Sequence, residues 1–337
     1  MKAVQGYFFP TVIGIAMLLP SGVRSGAQPA GSQPLSLEAK ISLGDVRGRI
    51  DHMAVDPIRN RLFVAELGND SVGVVDLNSR QVIHRITGLR EPQGVAYEPS
   101  ADTLYVANAG DGSVRLYQAG DFKETGRIEL GDDADNIRID AGGNRLLVGF
   151  GSGAIAVIDA AKKSKIAEFP LPAHPESFQL DSKTNRIFVN VPRSRIIVVI
   201  DALTGRQTTT WPMTNVSGNF PMAFDDDAQR VLVAFRTPAA LGVFSAADGR
   251  NVANVDLCGD ADDVFVDAKR HRTYVSCGQG FIDVFDTQDP GYRHTARIPT
   301  VSGARTSYFA PSIDRLFLAV RATSAGPAAI WVFRPAP

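Results

Sequence analysis

The chain has 337 residues, of which 44% are hydrophobic and 21% are charged, and it contains 31 glycines but only two cysteines. This composition excludes a disordered tail, a collagen-like rod and a small disulfide-stapled domain. The 35 basic and 36 acidic side chains nearly cancel, so no overall field attracts the chain to nucleic acid or to an anionic membrane.

The first segment has the features of an export signal. An apolar run extends from Tyr7 to Leu19, and the small residues Ser25-Gly26-Ala27 offer a cleavage site after it. The run is too short for a spanning helix, and an uncleaved interfacial anchor is the alternative. We therefore predict a signal peptide over 1–27, a flexible leader rich in Pro, Gly, Ser and Gln over 28–36, and a periplasmic or secreted protein without a membrane span.

A chain of this length is typical of two domains, but an internal repeat explains it better. A four-residue β-rich phrase recurs seven times, and its copies end 42, 42, 41, 44, 42 and 43 residues apart. The final residues are Val64, Val106, Val148, Val189, Val233, Val275 and Leu318. Each phrase follows an apolar strand and a turn rich in Asp, Pro, Asn and Gly, and two further strands come after it. We therefore predict one all-β domain over 37–337, a seven-bladed β-propeller with four-stranded antiparallel blades.

The last repeat lacks its fourth strand. It ends after Trp331-Val-Phe333, and the segment from Leu37 to Leu43 resembles the fourth strands of other repeats. An N-terminal strand in the last blade would close the ring and remove two sheet edges. Aspartates that end third strands are predicted turn formers, and aromatic residues inside the phrase are predicted core. They are Asp76, Asp159, Asp201 and Asp286, and Phe63, Tyr105, Phe188 and Tyr274.

Two copies carry a more specific pattern, Leu104-Tyr-Val-Ala-Asn108 and Ile197-Val-Val-Ile-Asp201-Ala-Leu-Thr-Gly205. On these motifs, and over residues 37–334, the chain resembles the YncE-like, YVTN-repeat propellers of exported bacterial proteins. The resemblance implies the propeller fold and export, but no single reaction, because that family is functionally diverse. The sequence has no Cys-x-x-Cys-His motif, which excludes covalently attached haem c.

The residues that precede the first strand of each blade should gather at one mouth of the central channel. Thirteen residues before the end of each phrase stand Asp51, Gln93, Asp135, Glu176, Phe220, Asp262 and Arg305, a set called the mouth ring below. Neighbouring polar residues enlarge the set, namely His52, Asp133, Asn136, His174, Asn219, Asp260 and Asp263. Turns with a purely structural role would tend to keep the same turn-forming residues in every blade. Here the polar residues differ between blades, which favours a site built from several blades. The alternative is a group of polar turns around a wet channel.

This polar mouth admits several chemistries. For ligand binding we predict Asp51, Gln93, Asp135, Asn136, Glu176, Asn219, Asp262, Asp263 and Arg305. Four carboxylates would suit calcium, namely Asp51, Asp135, Glu176 and Asp262. Histidines would instead favour zinc, and the candidates for catalysis are His52, His174 and Glu176. With a metal-bound water, such a group could act as general base in a hydrolase, lactonase or lyase.

We favour a monomeric binding propeller that presents an acidic mouth to a small molecule, a metal ion or a periplasmic protein. The metal-assisted enzyme is the alternative, and an electron-transfer accessory is a third option. No basic, aromatic-rich face indicates nucleic-acid binding. Cys258 and Cys277 should both lie at the mouth in blade 6, where export favours a disulfide, and a weak metal or redox site is the alternative. Secondary candidates at the ends of second strands are Glu66, Asn108, Arg236 and Arg321.

Overall fold

Seven antiparallel sheets of four strands each form the described chain from residue 33 onward. The structure is a computed structural model, and it describes residues 1–3, 6, 33–140, 142–324 and 326–337. Of the predicted signal peptide and leader, residues 4, 5 and 7–32 lie outside the described residues. Within the described ranges, no helix has the length and apolar character needed to cross a membrane.

The strands follow the predicted repeat. The first strand, β1 (Leu35–Gly44), belongs to the last blade. Blade 1 contains β2 (Met53–Asp56), β3 (Arg61–Glu66), β4 (Ser71–Asp76) and β5 (Gln81–Ile86). Blade 2 contains β6 (Pro92–Glu98), β7 (Thr103–Asn108), β8 (Ser113–Gln118) and β9 (Glu124–Glu129). Blade 3 contains β10 (Ile137–Asp140), β11 (Arg145–Phe150), β12 (Ala154–Asp159) and β13 (Ser164–Pro170).

The remaining blades have the same order. Blade 4 contains β14 (Phe178–Asp181), β15 (Arg186–Val191), β16 (Ile196–Asp201) and β17 (Gln207–Pro212). Blade 5 contains β18 (Ser217–Asp225), β19 (Arg230–Thr237), β20 (Ala239–Ser245) and β21 (Asn251–Asp256). Blade 6 contains β22 (Ala261–Asp267), β23 (Arg272–Cys277), β24 (Phe281–Asp286) and β25 (His294–Pro299). Blade 7 contains β26 (Ser307–Ala310), β27 (Arg315–Val320), β28 (Ala328–Pro335) and β1.

The first strands of neighbouring blades contact one another, so they surround the channel as predicted. Three short 3-10 helices interrupt the loops, at Leu67–Asn69, Pro192–Ser194 and Ala268–Arg270. The chain is therefore all-β apart from these single turns, within the part that the structure describes.

One backbone solution recurs in the turn between the first two strands of every blade. The residue before each second strand is left-handed, with φ between 46° and 56°. These residues are Asn60, Asp102, Asn144, Asn185, Gln229, His271 and Asp314. Asn and Asp tolerate this conformation better than most residues, which explains the composition of the repeated turn. The repeat in the sequence is thus a repeat of turn geometry.

The aspartates that end third strands form turns, as predicted. Asp76 Oδ1 accepts a hydrogen bond from the Ser79 backbone N–H at 2.6 Å, and Asp159 Oδ1 does so from Lys162 at 2.8 Å. Asp201 and Asp286 make equivalent bonds. The prediction that these residues shape turns is confirmed.

The phrase residues form the core between blades. Phe63, Tyr105, Phe188 and Tyr274 are each at most 1% exposed, which confirms their predicted place. Fully burying one such side chain is worth about 1.5–3 kcal/mol relative to leaving it in water. Seven such layers hold adjacent blades together around the ring.

The ring closes by a pairing of strands from the two ends of the described chain. β1 pairs antiparallel with β28, from Leu35 opposite Pro335 to Gly44 opposite Ala328. The predicted closure is confirmed, although the strand begins at Leu35, within the predicted leader. The reason is burial, because Leu35 is fully buried in the core between blades 6 and 7, where it packs with Tyr274.

Gly94 allows the first strands of blades 2 and 3 to approach each other. A Cβ atom on Gly94 would lie 2.1 Å from the backbone oxygen of Asp135. We expect Gly94→Ala to cost about 1–3 kcal/mol of unfolding free energy and to lower the melting temperature measured by circular dichroism. Gly126→Ala is the matched control, because its Cβ would meet only side-chain atoms, of Lys163 at 3.4 Å and of Leu116 at 3.9 Å. Equal melting temperatures for the two variants would contradict this account.

Candidate functional site

The starts of the first strands surround a cavity at one mouth of the channel, called the mouth cavity below. Its lining includes the predicted residues Asp51, His52, Asp135, Asn136, Glu176, Asp262 and Asp263. These residues come from blades 1, 3, 4 and 6, so ring closure brings together groups that are far apart in sequence. The cavity is small, about 60 Å³.

A repeated turn aims the side chains of this mouth. Fifteen residues before the end of the phrase, five blades have a left-handed residue, and these are Glu91, Asp133, Gly218, Asp260 and Gly303. The other two blades carry Arg49 and His174 there, without a positive φ. These two side chains extend to acidic residues of the mouth ring: Arg49 lies near Asp51, and His174 lies near Asp135. A local departure from the repeated backbone therefore supplies two cationic side chains to the mouth.

Asp135 lies between two histidines. Its Oδ1 atom is 4.0 Å from Nε2 of His52, and its Oδ2 atom is 3.9 Å from Nε2 of His174. Both distances are too long for a hydrogen bond. Asp135 is 6% exposed, and its Oδ1 atom is buried without a hydrogen-bond partner in the described chain. The carboxylate thus has an imidazole on either side but no hydrogen-bond donor at its buried Oδ1 atom.

The pKa values of Glu176 and His174 are both raised, with different consequences for their charge. Burial raises the pKa of Glu176 to about 7, and repulsion from Asp135 adds to the shift. Burial alone would lower the pKa of His174, but contacts with Asp135, the Gly151 oxygen and Asp133 raise it to about 9. Nδ1 of His174 lies 2.6 Å from that Gly151 oxygen. At neutral pH, His174 is therefore cationic, and Glu176 is divided between its neutral and charged forms.

Arginines neutralise the acids on the other side of the mouth. Nη2 of Arg49 lies 2.7 Å from Oδ2 of Asp51. Nη2 of Arg236 lies 2.5 Å from Oδ1 of Asp262, and Nε of Arg305 lies 3.3 Å from Oδ2 of the same carboxylate. The mouth is less acidic than the mouth ring predicts, because Arg49 and Arg236 reach it from outside the thirteen-residue register. Among the mouth-ring carboxyls, those left without an arginine partner are Asp135 of blade 3 and Glu176 of blade 4.

The predicted metal ligands do not converge. Among the described residues, no three His, Cys, Asp or Glu side chains are placed to hold one metal ion. Asp51 and Asp262 are engaged by guanidinium groups, whose positive charge opposes a cation. Binding of calcium or zinc here stays a prediction, and it would require these ion pairs to open.

Two predicted ligand-binding residues have other partners. Asn219 is fully buried, and its Nδ2 atom donates to Oδ1 of Asn190 at 3.3 Å. An irregular register between Asn219 and Met222 accompanies this orientation, so the amide joins blades 4 and 5. Gln93 accepts a hydrogen bond from Nη2 of Arg49 at 3.3 Å and so reaches the mouth only through that arginine.

Two secondary candidates are structural. Glu66 is fully buried, and its Oε2 atom lies 2.7 Å from Nε of Arg85 in the same blade. Asn108 is also fully buried, and it donates to the Ser113 backbone oxygen at 3.3 Å. These side chains hold the strands of blades 1 and 2 together. They correct the expectation that second-strand ends supply the mouth in every blade.

Cys258 and Cys277 form a disulfide, with their Cα atoms 5.9 Å apart. Both residues are fully buried. The bond ties the segment before β22 to the end of β23, close in sequence to Asp260 and to Asp262 at the start of β22. The sequence has no third cysteine. With this disulfide formed, no free thiol remains for the alternative, a weak metal or redox site.

Arg138 is the residue that the mouth ring misses. It lies on β10, three residues after Asp135, and it lines both the mouth cavity and a larger cavity of about 350 Å³ farther along the channel. Two signals could have found it. It stands ten residues before the end of its phrase, where four blades carry large side chains, and it is the only charged residue at that register.

The fold and the channel define the chain as a seven-bladed β-propeller. A solved structure of Kuenenia stuttgartiensis hydrazine synthase is 20% identical, with a TM-score of 0.76 over 88% of this chain and 96% of that one. A chain of a mitotic checkpoint complex is 14% identical, with a TM-score of 0.75 over 96% of this chain and 98% of that one. At these identities the likeness is one of fold. No family model matches the chain, and no curated protein matches it in sequence.

Asp263 makes the stability of the mouth depend on pH. Its Oδ2 atom accepts a hydrogen bond from the Ser307 backbone N–H at 2.7 Å. Burial raises the pKa of Asp263 to about 8, against the opposing attraction of His52. The folded chain thus keeps a proton that the unfolded chain releases near pH ~4. Stability should fall as pH rises from ~4 to ~8, by at most about 1.4 kcal/mol per pH unit from this group.

We expect Asp263→Asn to remove this loss, because asparagine keeps an acceptor for Ser307 and has no proton to release. Its gain in unfolding free energy over the unchanged chain should grow between pH ~5 and pH ~8, as measured by urea denaturation. Asp227→Asn, at an exposed residue in a turn of blade 5, is the control and should show no such growth. The same difference at both pH values would rule out a raised pKa at Asp263.

Proposed function

We propose that this protein is a binding propeller whose mouth holds a small polar molecule through hydroxyl or ammonium groups that donate to Asp135 and Glu176. The observation that carries this proposal is the buried Oδ1 atom of Asp135, which has no hydrogen-bond partner in the described chain. A carboxylate oxygen that leaves water without a donor costs free energy. A ligand that brings the donor recovers that free energy when it binds.

Glu176 is the second acceptor. Its carboxyl group makes no hydrogen bond or ion pair with a described side chain, and it lines the mouth cavity together with Asp135. Because its pKa is about 7, it accepts a hydrogen bond when charged and can donate one when neutral. Two adjacent carboxyls suit two neighbouring hydroxyls or one ammonium group.

The size and charge of the mouth support a small polar group as the occupant. The mouth cavity of about 60 Å³ has room for one such group. Asp51 and Asp262 are already in ion pairs with arginines, so the ring carboxyls without an arginine, Asp135 and Glu176, lie on one side. This asymmetry would orient the ligand toward blades 3 and 4.

The protein family and the export of the chain are part of the same proposal. Seven copies of the phrase and the motif Leu104-Tyr-Val-Ala-Asn108 support membership of the YncE-like, YVTN-repeat propellers. The Cys258–Cys277 disulfide supports export, because such bonds persist in oxidising compartments. One structural neighbour belongs to a checkpoint complex, so a protein that inserts one polar side chain into the mouth is another possible occupant.

Glu176 also favours a second candidate function, hydrolysis or elimination at the same mouth. A pKa of about 7 suits a group that takes up and releases a proton near neutral pH. In this alternative Glu176 is the general base, and the protonated His174 stabilises developing negative charge.

The test is a thermal-shift screen of the purified chain against neutral polyols and sugars in one arm and small primary amines in the other. Compounds that raise the melting temperature are then titrated by calorimetry into Asp135→Asn and Glu176→Gln. We expect each variant to bind about 10- to 100-fold more weakly, because a charged hydrogen bond is lost. Asp227→Asn is the control, and it should bind as the unchanged chain does.

The two arms also separate the alternatives. Compounds active in one arm only identify the donor as hydroxyl or ammonium. A compound that is converted, as seen by NMR, and whose turnover Glu176→Gln abolishes while it still binds, would favour the enzyme. The binding proposal fails if neither class raises the melting temperature, or if both mouth variants bind as tightly as Asp227→Asn.

A further inference from the structure

The channel has a second layer of side chains beyond the mouth. Ten residues before the end of each phrase stand Ala54, Ala96, Arg138, Gln179, Ala223, Phe265 and Tyr308, called the inner layer below. Each of these residues occupies a first strand and pairs with the middle of the second strand. The layer is uneven, because three blades contribute only a methyl group and four contribute large side chains.

This unevenness leaves a cavity of about 350 Å³. Ala54 and Ala96 line it on the side of blades 1 and 2, where their small side chains leave space. Phe265 and Tyr308 line it from blades 6 and 7, with their ring centroids 6.1 Å apart and their planes nearly perpendicular. The walls therefore combine apolar side chains with polar ones, and the space exceeds what the mouth cavity offers.

One cation faces this cavity without an acidic partner. Arg138 makes no ion pair with any described residue, and its hydrogen bonds go to neutral oxygens. These belong to the Ile137 backbone at 2.8 Å, and to Asn136 and Ser177 at 3.4 Å each. A guanidinium has five N–H donors, so these three contacts leave two. Burial lowers the pKa of Arg138, against the influence of Asp263 and Asp135, and a bound anion would reverse this cost.

The surrounding polar groups also suit an anion. The hydroxyl of Tyr308 has no hydrogen-bond partner among the described residues, and burial raises its pKa, so it stays a donor. Asp263 lines the same cavity, but with a pKa of about 8 it is mostly uncharged at neutral pH. His52 also lines the cavity, and although burial alone would lower its pKa, Asp51 and its other acidic neighbours raise it. Tyr308 thus offers a free donor on the cavity wall, and Asp263 adds little negative charge.

We propose that the cavity beside the inner layer is a second ligand site, which takes a small organic carboxylate with a flat apolar body. The carboxylate would accept hydrogen bonds from Arg138 and the Tyr308 hydroxyl, and the body would occupy the space that Ala54 and Ala96 leave. Guanidinium and carboxylate match in planar, two-point geometry. This site adjoins the mouth cavity, because Arg138 lines both, but its proposed contacts include neither Asp135 nor Glu176.

Benzoate is the probe for the test, and benzamide is its neutral analogue of the same shape. Calorimetry on the purified chain should show saturable benzoate binding, with benzamide at least about tenfold weaker. If benzoate does not saturate, or benzamide binds equally well, the proposal is wrong.

Variants assign the binding to the cavity. Arg138→Gln should weaken benzoate binding by about 10- to 100-fold, because the charged donor is lost. Tyr308→Phe keeps the ring and should weaken it by a smaller factor, and Arg138→Lys should keep part of the affinity. Arg206→Gln, at an exposed arginine in blade 4, is the matched control. Circular dichroism checks folding, and if Arg138→Gln does not fold, the other two variants carry the test.

Unchanged benzoate affinity in Arg138→Gln, or in both Arg138→Lys and Tyr308→Phe, overturns the assignment. Glu176→Gln distinguishes this proposal from the one at the mouth. It should leave benzoate binding unchanged while it weakens the binding of polyols or amines. Loss of benzoate binding in Glu176→Gln would show that the two cavities form one site and would refute the separate carboxylate site.

Discussion

The antiparallel pairing of β1 with β28 is the constraint on which the site depends. It joins strands nearly three hundred residues apart in one sheet, and it covers the edge that β28 would otherwise expose. Once the ring is closed, the seven first strands must start around a common channel. Asp51, Asp135 and Glu176 come from three different blades and meet only for that reason. The mouth is therefore a property of the whole ring, and no blade carries it alone.

Charge is divided along and around this channel. On the side of blades 5 to 7, Arg236 and Arg305 satisfy the ring aspartate Asp262. On the side of blades 3 and 4, Asp135 and Glu176 keep oxygens without donors, and farther along the channel Arg138 keeps donors without an acidic acceptor. Two complementary kinds of unsatisfied group thus occupy successive levels of one channel. That arrangement supports a binding role more directly than the propeller fold does, because many unrelated functions share a fold of this kind.

The repeat in the sequence was sufficient to predict the fold, because the strand pattern and the turn residues indicate the same structure. The phrase gives the buried strand, and the left-handed residue before it gives the turn, as at Asn60 and Asp314. The same counting located Asp135 and Glu176 at the mouth, since position before a strand fixes where a side chain begins. It does not fix where a long or branched side chain ends. Asn219 lies one residue before the counted position in blade 5, and an irregular register directs it between blades. Arg138 lies one level deeper than the counting reached.

The inner layer has a consequence for the kind of molecule that this channel can distinguish. A perfectly repeated ring would present the same group seven times, and a ligand could bind in seven equivalent rotations. Here each blade adds a different group, so the channel has no rotational symmetry and no mirror plane. A guanidinium, a phenol and two methyl groups at different angles, with carboxyls at another depth, define a handed space. Such a space separates the two enantiomers of a chiral ligand, although the scaffold that builds it is a nearly sevenfold repeat.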